Sequence, residues 1–221
     1  FFYFMNSYNT FLEQFKTAIS QANRQIDEVE LIAVSKKKSV EEIKSVIKFG
    51  QLSFGENQIQ EVESKWINLK RDHPQIKLQF IGGIQSRKVK SIYQHCDVIH
   101  SIDRMKLVEL FNKLENENQV AKDYFIQINI GDEAQKSGVK LSEADDFISK
   151  CIVNYNLNII GLMCLPPLNE DPKKYFIKLK NMAKKYNFAS LSMGMSSDYD
   201  VAIESGATHV RIGTQIFGPR D

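Results

Sequence analysis

Apolar residues recur at helical spacing through Phe11, Phe15, Ala18, Ile19, Ala22 and Ile26, which predicts an amphipathic helix over residues 8–29. A short β-branched run at 31–35 follows and reads as a strand. Ser39 then opens a capping box with Glu42, a serine hydroxyl and a carboxylate satisfying each other's backbone N–H groups. Val40, Ile43, Val46 and Ile47 share the buried face of that helix, and Gly50 stands where a left-handed C-terminal cap is expected. The alternation continues to the end of the chain. Strands are predicted at 52–54, 78–81, 98–100, 124–130, 159–162, 188–191 and 209–212. Helices are predicted at 58–69, 86–93, 104–117, 143–155, 172–186 and 198–205, the last capped by Ser197 with Asp200 in the capping-box position and closed by Gly206.

Eight strands alternating with helices imply a parallel sheet, because each parallel crossover needs a helix. The length suits a single (β/α)8 TIM barrel over residues 1–221 with an additional N-terminal helix; counting alone leaves a doubly wound open sheet as the competitor. The opening Phe1, Phe2, Tyr3 and Phe4 precede Met5, are too few for a signal peptide, and are set apart from the fold as a remnant. With 29 basic against 27 acidic residues, the net charge of +2 carries no polyanion-binding excess, so nucleic acid is not an expected partner. No apolar run is long enough to span a membrane. Cys96, Cys151 and Cys164 are odd in number and unpaired in spacing, which fits reduced thiols in a cytoplasm. His73, His95, His100 and His209 have no metal-ligand spacing.

In a barrel, chemistry gathers at the C-terminal ends of the strands. Glycines, hydroxyls and charges cluster there in this sequence. Ser192, Met193, Gly194, Met195, Ser196 and Ser197 follow the seventh predicted strand, and Gly213 and Thr214 follow the eighth. Backbone N–H groups at such turns favour a phosphate, although Ser196 and Ser197 by themselves suit a helix cap equally well. Lys36 ends the first strand. Alternation puts it on the face of Ile32 and Val34, over the mouth if those two line the interior, with Lys37 turned away and Lys38 in the turn. A confined lysine beside other cations loses proton affinity and becomes a nucleophile toward aldehydes, whereas three lysines in water are only a solvated cluster. An amine opposite an anion pocket suits a sugar phosphate in a class I aldolase or pyridoxal 5′-phosphate (PLP). Glu56, Asp103 and Asp132 are the acid–base candidates an aldolase would need, and Arg211 could meet a ring nitrogen or a phosphate.

The segments LIAVSKKKS, FGENQIQE, FIGGIQSRK, SIDR, QINIGDEAQKSGV, GLMCLPP and LSMGMSSDYDVAIESGATHVRIGTQIFGPRD run from about residue 31 to 221. Together they resemble the pyridoxal phosphate homeostasis proteins, single-domain relatives of the alanine racemase barrel. The resemblance implies PLP held as a Schiff base on Lys36, with its phosphate against Ser192–Ser196 and Gly213–Thr214, Asn57 beside the ring, and Arg211 beside the cofactor, either near the pyridine nitrogen or at the phosphate. It implies that Met193 and Met195 pack nearby, whereas Met163 reads as barrel packing. The sequence departs from the family pattern at Lys37, Lys38 and Ser39 after the lysine, at Gln79 in place of a histidine, and at Arg87 in place of an asparagine. These changes bear on the cavity rim and on partner surfaces.

Alanine racemases pair the barrel lysine with a tyrosine from a second domain. A chain ending at Asp221 is expected to lack it, and an Arg211 facing the ring nitrogen would weaken the electron sink. The expectation is a PLP-binding protein of vitamin B6 homeostasis without robust catalysis, passing cofactor to PLP-accepting apoenzymes. A weak racemase or decarboxylase, and the class I aldolase, stand as rivals.

Overall fold

The predicted strands carry apolar residues on both faces because both faces are covered, one by helices and the other by the opposite wall of the barrel. The computed structural model describes residues 2–218, with side chains from Tyr8 onward; Phe1 and residues 219–221, the two ends of the expected 1–221 domain, lie outside the described residues. The described residues form nine strands: β1 (Glu30–Val34), β2 (Ser53–Glu56), β3 (Lys77–Phe80), β4 (Val98–Ile102), β5 (Asp123–Asn129), β6 (Val139–Lys140), β7 (Asn158–Cys164), β8 (Ser190–Ser192) and β9 (His209–Ile212). All pair in parallel in the order β4-β3-β2-β1-β9-β8-β7-β5, and the β4–β5 pairing joins the two ends. That closure decides for the eight-stranded barrel and against the open sheet. The two-residue β6, which the hydrophobic pattern does not reveal, adds to β5 at its upper end.

The helices are α1 (Phe2–Gln21), α2 (Val40–Lys48), α3 (Ile59–Glu61), α4 (Ile67–Asp72), α5 (Val89–His95), α6 (Met105–Asn118), α7 (Leu141–Asn154), α8 (Pro172–Lys185), α9 (Tyr199–Glu204) and α10 (Thr214–Phe217). The Ser39 capping box forms as expected, with the Glu42 N–H donating to Ser39 Oγ at 3.2 Å and the Ser39 N–H to Glu42 Oε2 at 2.7 Å. Gly50 takes φ +90° after α2. The first helix is shorter at its C-terminal end than its periodicity suggests. It stops at Gln21, Asn23 takes φ +54°, and Ile26, more than half exposed, belongs to a separate 3₁₀ turn. Its N-terminal end instead takes in Phe2, Tyr3 and Phe4, so those residues are part of a helix. Ser197 does not cap α9. Asp198 occupies the N-cap position, and its carboxylate turns back to accept the Met195 N–H at 2.6 Å. The strand predicted at 188–191 forms later, at β8, and that at 52–54 starts after the half-exposed Leu52.

Tyr8, Phe11, Phe15 and Ile19 of α1 are buried, each worth about 2 kcal/mol of apolar transfer. Phe11 meets the Tyr199 ring edge-on at 5.5 Å, so α1 braces α9 beside the C-terminal mouth. The strands alternate between the two layers, with irregularities in the β4–β5 pairing after Ile99 and in the β5–β7 pairing after Tyr124. Leu31, Ala33, Phe54, Leu78, Ile99, Leu191, Val210 and Ile212 join the core under the helices, while Val98, Phe125 and Met163 form a small apolar cluster inside the barrel. Met163 is thus barrel packing, as its position implies.

Candidate functional site

The C-terminal mouth of the barrel opens into a cavity of about 590 Å³. Val34 and Lys36 both line it, so the two-residue period places Lys36 over the mouth. Lys38, Lys136 and Arg211 line it as well. Among the described residues lining the cavity there are four cations and no carboxylate, and the remaining polar groups are hydroxyls and amides.

The loop that presents Lys36 is clamped from behind. Glu56 ends β2 pointing away from the barrel interior, fully buried. Its Oε1 accepts from Ser35 Oγ at 2.8 Å and Trp66 Nε1 at 3.1 Å, and pairs with Lys65 Nζ at 2.7 Å. Lys65 Nζ also donates to the carbonyls of Ser35 at 3.0 Å and Lys38 at 3.3 Å and pairs with Glu61 at 2.7 Å. Lys37 is held at φ +60° while its N–H donates to Glu61 Oε2 at 2.6 Å. A π-helical turn at Val62–Trp66 interrupts the helix predicted at 58–69, and it carries both Lys65 and Trp66, the two residues that reach Glu56. Burial outweighs the Lys65, Trp66 and Ser35 contacts and holds the Glu56 carboxyl above its usual range. Glu56 is therefore a structural anchor, not a group facing the cavity; Asp103, paired with Arg104 at 2.7 Å, and Asp132 do not line the cavity either.

Asn57 follows Glu56 into the cavity wall, and its Oδ1 is buried without a protein partner. The Asn57 turn needs Gly82, where a Cβ would stand 2.0 Å from the Asn57 carbonyl oxygen. Met195, Ser196 and Ser197 after β8, and Gly213 and Thr214 after β9, also line the cavity. Thr214 and Gln215 are the first two residues of α10, where no carbonyl of the helix can take their N–H groups.

Ser192, Met193 and Gly194 do not line the cavity. Ser192 faces the barrel interior, fully buried. Met193 packs into the core under the helices, and Gly194 takes φ +96° against Ala202. The reason is alternation: β8 runs through Ser192, so its neighbour Met193 must point outward. Gln79 and Arg87, read as rim or partner positions, separate likewise. Gln79 is buried inside the barrel, and Arg87 is exposed, with its Nε donating to Gln85 at 3.1 Å. Arg211 is buried at the cavity floor, NH1 donating to Ser192 Oγ at 2.5 Å and NH2 to the Cys164 carbonyl at 3.0 Å. Burial pulls its guanidinium below its usual pKa, partly offset by Cys164 and Asp198.

Sequence reasoning placed Lys38 in the turn and did not single out Gln127 or Asn129, which line the cavity together with Ser137 and Gly83 from the polar, glycine-rich loops after the strands. The signal was present for Gln127 and Asn129: polar residues at every second position of an otherwise apolar strand face whatever is not apolar. Lys38 reaches the wall through the clamped loop, with Nζ donating to the Phe217 carbonyl at 3.2 Å and pairing with Glu42 at the same distance. No His, Cys, Asp or Glu cluster among the described residues could hold a metal.

A parallel eight-stranded barrel with a lysine at the tip of its first strand and a cationic cavity at its C-terminal mouth defines a class of barrels built to hold small anions. The chain belongs to the pyridoxal phosphate homeostasis protein family, within the alanine racemase N-terminal domain group, which it matches over residues 11–221. The Aquifex aeolicus pyridoxal phosphate homeostasis protein is 36% identical, with 95% of each chain covered. Among solved structures, PipY of Synechococcus elongatus PCC7942 with PLP bound superposes with a TM-score of 0.81 at 29% identity, covering 90% of this chain and 97% of PipY. A protein from Bifidobacterium adolescentis reaches a TM-score of 0.89 at 27% identity, covering 97% and 94% of the two chains.

Proposed function

We propose that the cavity binds PLP through Lys36 and that the protein serves intracellular PLP homeostasis by holding the cofactor reversibly for apoenzymes. The observation that carries this reading is the charge of the cavity wall: Lys36, Lys38, Lys136 and Arg211 with no carboxylate among the described lining residues. Such a wall suits a ligand with a phosphate dianion and an aldehyde. The buried Asn57 Oδ1, which has no partner in the protein, offers an acceptor to a ligand hydroxyl. Thr214 offers a backbone N–H group and Ser196 a hydroxyl from the loops after β9 and β8. The family relatives carry the name pyridoxal phosphate homeostasis protein, and PipY is solved with PLP bound.

When bound, the cofactor supplies an aldehyde that condenses reversibly with amines. Lys36 would hold it, with Arg211, Lys38 (paired with Glu42) and Lys136 (paired with Glu133) facing its charge. The lining residues lack the second acid–base group that efficient racemisation requires; no tyrosine and no carboxylate reaches the cavity among the described residues. Glu56, Asp103 and Asp132, the acid–base candidates for an aldolase, do not line the cavity.

The test is absorption spectroscopy after incubation with PLP, followed by borohydride reduction and peptide mapping. A visible band lost on reduction, with pyridoxyl mass on Lys36, supports the reading, and Lys36→Ala removes both. An adduct on Lys37 or Lys136 in the unsubstituted protein overturns the assignment. Robust turnover across an amino-acid panel overturns the carrier role.

A further inference from the structure

Below the cavity floor the barrel interior holds an unbroken run of side-chain hydrogen bonds. Arg211 NH1 meets Ser192 Oγ at 2.5 Å, Ser192 Oγ meets His100 Nδ1 at 2.8 Å, and His100 Nε2 meets Gln79 Oε1 at 2.5 Å. Gln79 Nε2 then donates to Glu30 Oε1 at 2.5 Å and to Ser53 Oγ at 2.7 Å, and Ser53 Oγ donates to the same Glu30 oxygen at 2.7 Å. Glu30 is the first residue of β1, at the mouth opposite Lys36, where its Oε2 pairs with Lys77 at 3.0 Å and His209 at 3.3 Å.

The run has one direction. An ionised carboxylate only accepts, so Glu30 requires the amide nitrogen of Gln79 and turns its carbonyl toward His100. His100 must then carry its proton on Nε2, which leaves Nδ1 bare to accept the Ser192 O–H, and the Ser192 lone pairs face Arg211. The hydrogen-bond partners of Arg211 are a hydroxyl and a carbonyl, both neutral, and burying a cation on neutral partners is costly. Asp198, the carboxylate whose field reaches Arg211, is engaged by the Met195 N–H.

We propose that Glu30 is a positioning residue for Arg211: from the opposite mouth it sets the direction of the Gln79–His100–Ser192 run and so fixes the guanidinium at the cavity floor. The consequence for ligand affinity rests on the PLP reading above; the consequence for His100 does not.

Two measurements on the full chain test it. In the ¹⁵N-labelled, cofactor-free protein, His100 shows a single neutral tautomer protonated on Nε2. Glu30→Leu removes the acceptor and mixes the tautomers, and Glu30→Gln, which keeps an acceptor oxygen, restores the single form. If Glu30→Leu does not fold, Glu30→Asp withdraws the oxygen while keeping the charge and gives the same mixing. A wild-type His100 protonated on Nδ1, or an unchanged tautomer in the Leu or Asp variant, overturns the proposal. In PLP titrations, Glu30→Leu and Ser192→Ala each weaken binding about fivefold, and the double variant is no weaker than the poorer single. Multiplying effects overturn the coupling. If the wild-type protein takes no PLP, the cofactor reading fails and the tautomer measurement still decides this one.

Discussion

Replacing Lys65 with methionine isolates the clamp behind the Lys36 loop. Lys65 is 10% exposed and Glu56 fully buried, so this pair is not a surface ion pair worth a few tenths of a kcal/mol. Removing one partner of a buried pair costs about 3–5 kcal/mol when the other stays charged. Glu56 has an escape, because it can take up a proton. From its ordinary value of 4.5, neutralisation at pH 7 costs at most about 3.4 kcal/mol. The carbonyls of Ser35 and Lys38 lose a donor as well, at about 1 kcal/mol each if water does not replace it. The expected loss is therefore about 4 kcal/mol at pH 7. An orphaned carboxyl with a raised folded pKa is stable below its unfolded value and loses stability as pH rises, so the loss shrinks to about 2 kcal/mol at pH 5. Urea unfolding read by circular dichroism and by Trp66, the only tryptophan, measures both values. The double variant Glu56→Leu/Lys65→Met recovers most of the pH-dependent part. A Lys65→Met loss below about 1 kcal/mol, or one equal at pH 5 and pH 7, refutes the clamp.

Three further outcomes follow from single features. Gly82→Ala drives a methyl into the Asn57 carbonyl, so it lowers stability by about 2 kcal/mol and weakens PLP binding, read by thermal melting and by titration. Burial alone would raise the Glu30 carboxyl, but the His209 contact, Ser53 and Lys77 together hold it far below the usual carboxylate range. Its contribution is complete above the unfolded value of 4.5 and lost as pH falls through the folded one. Glu30→Gln is therefore less stable than the parent at pH 7 and converges on it in acid melts below pH 4.5. Gly161→Ala places a methyl 1.9 Å from the Ser190 carbonyl oxygen and loosens β7 from β8, seen as faster amide exchange in β8.

The barrel was legible in the chain because its strands obey the simplest rule available. Apolar runs of three to seven residues, separated by helices, pair in parallel, and the Ser39–Glu42 box and Gly50 mark one helix residue by residue. Lys36 was legible for the same reason, since two steps of alternation from Ile32 place it at the mouth. The reading failed where alternation had to be anchored by a strand boundary it did not have. Ending β8 at residue 191 made Ser192, Met193 and Gly194 a loop at the anion pocket. Ending it at Ser192 puts that hydroxyl inside the barrel and Met193 under the helices. A shift of one residue moved three residues off the wall.

The polar interior was illegible for a different reason. Glu30, Ser53, Gln79, His100, Ser192 and His209 come from six different strands, and none is adjacent in sequence to another's partner. Each taken alone is a polar residue inside a strand, which in an antiparallel sheet would mark the solvent face. Here both faces are covered, so the same polar positions must satisfy one another between two ends whose roles are fixed, an accept-only carboxylate at Glu30 and a donate-only guanidinium at Arg211. The direction of every bond between them follows from that. The floor of the anion pocket is thus specified in part at the far end of the barrel, by a residue that local sequence reading assigns to the start of a strand and to nothing else.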